Sequence, residues 1–258
     1  MKNRLMILLH GVLVTVLLAG ASAMSVSARE TGSQDLPVSE EIRRSFELTP
    51  GALVSIESIS GPVDVEKSNG NTAEVYVVRS AQTQRELDCY RTIVEQTGGG
   101  LSIRNEQQCR NVRARQRVKV SLPTNVNLRI ESVSGDVHIA AIDGSARLNS
   151  ISGGVWMEQA GGDININSIS GSVNLNVVRL NTRGLRLNSI SGRIMLRLAD
   201  SINADVRVES ISGNFSSEIP GVTIDKVGDS DFRAQVGRGG TPINISSVSG
   251  SVTLMRRA

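Results

Sequence analysis

A four-residue signature, Ser-(Ile/Val)-Ser-Gly, recurs seven times in this chain and constrains its fold more than any other feature. The copies start at Ser58, Ser132, Ser150, Ser168, Ser189, Ser210 and Ser247 and close on Gly61, Gly135, Gly153, Gly171, Gly192, Gly213 and Gly250. Successive copies lie 74, 18, 18, 21, 21 and 37 residues apart, the last gap close to two units of 18 and the first close to four. A near-constant period of this length marks a stacked repeat, in which a unit that cannot bury its apolar face alone buries it against its neighbours.

Apolar and polar residues alternate on both sides of each signature, as in Ile164-Asn-Ile166-Asn and then Val173-Asn-Leu175-Asn-Val177. That is the period of a strand. Leu187 and Ile190 are three residues apart, so both can face inward only if the chain bends near Ser189, with a second bend at Ser191-Gly192. Glycine reaches positive φ without steric cost and serine hydroxyls bond nearby backbone, so both suit corners. A unit of 18–21 residues has no room for a helix and its loops. The expected fold is all-β: a parallel β-solenoid of about 18–21-residue coils, with a less regular N-terminal β region. Aromatic residues make up 2% of the chain, which fits a narrow core filled by Val, Ile and Leu.

Four segments are expected. Lys2 and Arg4 precede the apolar run Leu5 to Gly20 and small residues at Ala21-Ser-Ala23 and Val26-Ser-Ala28, the pattern of a secretory signal peptide over 1–28. Residues 29–45 are polar and read as a loose linker. Residues 46–122 keep the strand period without regular units and read as a β cap over one end of the stack. Residues 123–258 hold the solenoid, and Arg256 and Arg257 would keep its last strand from pairing with other chains. No later run is long and apolar enough to cross a bilayer as a helix. Loss of Lys2 and Arg4 lowers the formal charge from +3 to +1, so charge gives no reason to expect a nucleic acid partner. Cys89 and Cys109 are expected to pair as a disulfide in an exported protein.

The residue before each signature is Glu57, Glu131, Asn149, Asn167, Asn188, Glu209 or Ser246. Asn149, Asn167 and Asn188 would meet in neighbouring coils as an amide ladder.

The ordered series, from Val118-Lys-Val-Ser-Leu-Pro123 and Leu128-Arg-Ile-Glu-Ser-Val-Ser-Gly135 to Ile243-Asn-Ile-Ser-Ser-Val-Ser-Gly250, resembles a family of bacterial putative adhesins with β-strand repeats, a domain of unknown function. The resemblance spans roughly residues 50–255. It implies a solenoid-like exported protein and brings no catalytic residues with it. The cysteine pair is not part of that pattern.

Chemistry is sparse in the residues themselves. His10 falls in the signal segment and His138 is an exposed strand residue with no second His or Cys beside it, so neither a metal nor a cofactor is expected. Asp136, Asp143 and Asp163 lie near turns, where turn geometry explains them. A polysaccharide-active enzyme would need paired carboxylates and aromatics for sugar stacking; Trp156 alone does not supply them. Arg113, Arg115, Arg117 and Lys119 fall at spacing two on one strand face, read either as the solvated face of an edge strand or as a strip for anionic envelope groups. The expectation is a non-enzymatic scaffold or adhesion-type surface in the periplasm or at the cell surface. Its partner would be an envelope component or a protein. The alternatives are an accessory protein of envelope-stress signalling and a β-helix enzyme acting on polysaccharide.

Overall fold

The structure is a computed structural model that describes residues 36–227 and 229–257; the signal segment 1–28 lies outside the described residues. Residues before the helix form β1 (Val38–Glu47), β2 (Leu53–Ser60), β3 (Val63–Lys67) and β4 (Thr72–Ala81), and α1 (Gln84–Cys89) follows. Next come β5 (Tyr90–Thr97), β6 (Gly100–Gln107), β7 (Ala114–Leu122), β8 (Asn127–Ser134), β9 (Val137–Ile139) and β10 (Ala146–Ser152). The rest is β11 (Val155–Ser170), β12 (Val173–Ser191), β13 (Ile194–Leu198), β14 (Ala204–Ser217), β15 (Ile224–Lys226), β16 (Asp231–Val236) and β17 (Thr241–Arg256).

Two columns of parallel strands meet at the signature. In the first, Ile56, Ile130, Leu148, Ile166, Leu187, Ile245 and Val208 sit side by side from strand to strand. In the second, just past the glycine, Val63, Val137, Val155, Val173, Ile194, Val252 and Phe215 do the same. All fourteen side chains are buried, and each such burial contributes about 1.5–3 kcal/mol. The glycines form their own column between the two. A Cβ on Gly171, at φ +134, would stand 2.1 Å from the carbonyl oxygen of Gly153, and one on Gly192 would stand 2.0 Å from that of Gly171. Coils therefore approach at this corner as closely as backbone allows.

The stacking order departs from the order of the sequence. The fifth signature strand, within β12, pairs with β17, and β17 pairs on its other side with β14. The sixth and seventh signatures thus exchange places: β14 lies outside β17, covered by the antiparallel β16 and then β15. The 37-residue gap is a hairpin, not two stacked units. The 74-residue gap is likewise no set of four coils, since β2 pairs directly with β8. Its residues fold back on the first coil, with β6 parallel to β2 and β7 parallel to β3. β5, β4 and β1 then add antiparallel strands.

Three further expectations are corrected. Residues 38–45, read as a loose linker, form most of β1, whose Ile42 and Phe46 pack against the core. β7 is not an edge strand, because β3 and β4 flank it. The last strand, with Arg256, is interior, and Arg256 faces Asp200 at 3.4 Å.

The N-terminal region is tied by polar and covalent links. Thr83 caps α1 reciprocally with Glu86, and Cys89 at its end is disulfide-bonded to Cys109. Arg79, buried in β4, donates to the carbonyls of Leu87 and Tyr90 and to Glu40 of β1. Tyr90 is itself buried, and that burial pushes its phenol up to about 12.

Candidate ligand-binding face

Alternation does not break at the signature. Leu187 faces in, Asn188 is half-buried, Ser189 faces in and Ile190 is exposed. The same phase holds in every copy: Ser58, Ser132, Ser150, Ser168, Ser189, Ser210 and Ser247 are buried. Ile59, Val133, Ile151, Ile169, Ile190, Ile211 and Val248 are exposed, from 37% at Ile59 to 75% at Ile211. The expectation that both Leu187 and Ile190 face inward is therefore wrong. The bend comes at the glycine, after the isoleucine has already been turned outward.

Counting back from the exposed aliphatic residue in steps of two gives three parallel rows on the outer face of the first column. The aliphatic row crosses the stack in the order Ile59, Val133, Ile151, Ile169, Ile190, Val248, Ile211. Beside it runs a polar row in which Asn188 donates to Asn167 and Asn167 to Asn149, each at 2.8 Å. This is the amide ladder the spacing implied. Beyond it lies a third row with Arg129, Arg147, Asn165, Arg186, Asn244 and Arg207.

Two concavities follow these rows. An apolar groove of about 570 Å³ runs along Ile151, Ile169, Ile190, Val248 and Ile211, with the asparagines as one wall and Ser230 at the β14 end. A polar groove of about 610 Å³ lies over Arg129, Arg147, Asp163, Arg183 and Arg186. Charge is distributed unevenly in the third row. Arg129 bonds Glu131 at 2.6 Å and Arg207 bonds Glu209 at 3.2 Å. Arg147 and Arg186 stand where the polar row carries asparagine, and neither has a carboxylate partner among the described residues.

Residues 141–255 match the family described as Toastrack DUF4097. This part of the chain is similar to Toastrack domains. The aliphatic groove and the amide ladder both lie within it, and the β1–β7 region precedes it. No curated protein matches the sequence. Among solved structures, the chain is similar to a putative cell adhesion protein from Clostridium sporogenes at 10% identity. That match covers 84% of this chain and 100% of the other, with a TM-score of 0.49. A putative adhesin from Bacteroides fragilis matches at 13% identity over 83% of this chain and 97% of its own, with a TM-score of 0.44.

The basic strip read from the sequence is divided by its surroundings. Arg115, Arg117 and Lys119 are exposed on β7, whereas Arg113 precedes the strand and its backbone N–H donates to Glu86. Lys119 bonds Glu66 at 2.8 Å, and this hydrogen bond and charge hold its amine above the ordinary range. His138 is exposed, as expected, and stacks on Trp156 with ring centroids 4.5 Å apart. The Trp156 ring lies over Gly154, where a Cβ would meet it. No group of three or more His, Cys, Asp or Glu side chains that could hold a metal occurs among the described residues.

The aliphatic and arginine rows escaped the sequence reading, although their signal was present. A parity count from any buried residue, such as Leu148 to Ser150, puts Ile151 out of phase with the core.

Proposed function

We propose that this protein is an exported, non-catalytic binding protein whose outer coil face holds a ligand in the cell envelope. The observation that carries this reading is the exposed aliphatic row. Seven branched apolar side chains sit where solvent-facing strand positions are ordinarily polar, and contiguous exposed apolar surface marks interaction sites. The repeat supplies a rigid support, because each residue of the face is fixed by a buried serine and a glycine corner behind it. The disulfide between Cys89 and Cys109 supports an oxidising compartment.

Co-sedimentation with cell-envelope fractions tests the reading. The wild-type protein is expected to sediment with a fraction, and Ile169→Asn with Ile190→Asn is expected to abolish this while leaving the melting temperature nearly unchanged. Equal sedimentation of the two proteins would remove the aliphatic row from the function. If binding instead fell only in the variant carrying Arg113→Gln, Arg115→Gln, Arg117→Gln and Lys119→Gln, the β7 strip would take over that role.

A further inference from the structure

We infer that the ligand of this face is an anionic phospholipid molecule, with its acyl chain in the aliphatic groove and its phosphate at Arg147 and Arg186. The inference rests on the reading of the face as a binding surface and adds the chemical class of what is bound.

Three observations lead to it. The first is the order of the rows. Reading along the strands, the face presents unpaired guanidinium groups at Arg147 and Arg186, then the amides of Asn149, Asn167 and Asn188, then the aliphatic row. An anionic phospholipid presents complementary groups in the same order: phosphate, ester linkage, hydrocarbon. The guanidinium and aliphatic rows are four residues apart, about 13 Å along an extended strand, leaving the amide row for the polar linkage.

The second is charge. Where the polar row carries glutamate, at Glu131 and Glu209, the neighbouring arginine is neutralised. Where it carries asparagine, at Asn149 and Asn188, the arginine beside it is left without a carboxylate. The unpaired positive charge thus falls on the first and third of the five coils that line the apolar groove, those of Ile151 and Ile190.

The third is the backbone. Strands β8, β10, β11, β12 and β17 are paired on both sides along the signature column. A peptide laid across them finds no free N–H or C=O groups for strand addition, whereas a hydrocarbon chain requires none. From Val133 to Ile211 the row crosses six strands, about 24 Å at ordinary strand spacing. One leaflet of hydrocarbon is about 15 Å deep, so an acyl chain fits within the groove.

Calorimetric titration of the protein with dioctanoyl phosphatidylglycerol tests the assignment, with dioctanoyl phosphatidylcholine and glycerol phosphate as controls. One phosphatidylglycerol per protein is expected, with about tenfold weaker binding of phosphatidylcholine and no binding of glycerol phosphate. Arg147→Gln with Arg186→Gln should bring phosphatidylglycerol down to the phosphatidylcholine level and leave the latter unchanged. Ile169→Asn with Ile190→Asn should weaken both lipids about tenfold or more. Circular dichroism and thermal melts of each variant establish that it is folded. Binding of phosphatidylglycerol that neither pair of substitutions alters would overturn the inference. So would failure to bind it by a protein that still sediments with envelope fractions through the aliphatic row; that result would leave the binding surface standing with another ligand. Aliphatic-row-dependent self-association in sedimentation velocity, without lipid binding, would make the occupant a second copy of this chain.

Discussion

From β8 to β13 the chain solves one packing problem over and over, whereas from β1 to β7 it solves a different one at each step. In the stack, a coil is held by its glycine corner and by two columns of buried aliphatic side chains shared with both neighbours. In the N-terminal region the signature occurs once, in the coil of β2 and β3; the strands added around that coil, β1 and β4 to β7, share no repeated pattern, and the connections are specific. They include the Cys89–Cys109 disulfide, the capped helix α1 and the buried Arg79 that reaches β1 and the start of β5. Periodic packing distributes stability evenly over many equivalent contacts. The irregular region concentrates it in a few links that can be removed one at a time.

The largest effect is expected at the glycine corner. Gly171→Ala must place a methyl group against the Gly153 carbonyl in a left-handed backbone conformation. A loss of about 4 kcal/mol is expected from strain and overpacking together, read from urea unfolding. Retention of wild-type stability would mean that the corners are looser than the close approach of Gly171 to Gly153 implies.

A smaller effect is expected from removing the disulfide. Cys89→Ser with Cys109→Ser should cost about 3 kcal/mol, the entropy of opening a loop of this length. Hydrogen exchange should rise in residues 84–113 while the amides of β10 to β12 stay protected. Equal loss of protection in both regions would show that they unfold as one unit and would dissolve the distinction.

The smallest effect concerns Tyr90. Its folded pKa is raised to about 12 by burial, against an ordinary value of 10.0. The native state therefore holds this proton more tightly than the unfolded chain does. Its contribution is fully present below pH 10 and is lost as pH rises through 12, about 2–3 kcal/mol in all. Tyr90→Phe should flatten the stability profile in that window. An unchanged profile would assign the alkaline loss to another group.

The repeat was legible because every unit carries the same local instructions, and the disulfide because two cysteines have one way to pair. The exchange of the last two coils was not, since Ser210-Ile-Ser-Gly213 and Ser247-Val-Ser-Gly250 carry the same local pattern. What separates them is the β15–β16 hairpin, which pairs with the outer edge of β14 and so fixes that strand at the end of the stack. β1 was hidden for another reason. Its inward-tending residues Val38, Ile42 and Phe46 come at every fourth position with polar residues between, so its composition reads as a linker. On the outer face of the coils the apolar residues were legible but their direction was not. Hydrophobicity argued for burial, while backbone phase put them in solvent.

The insertion of β17 between β12 and β14 has a consequence for how the molecule assembles. A stack built in chain order could close like a zipper, each coil finding its template as soon as it emerged. Here β14 pairs with β16 and β17, both formed later in the chain, and the exposed side of β12 stays unfilled until Thr241–Arg256 arrives to bridge the two. Those closing contacts span long stretches of sequence, which slows folding. A chain that folds as it is delivered from its N-terminus would carry an unfinished sheet edge until its last coil arrived.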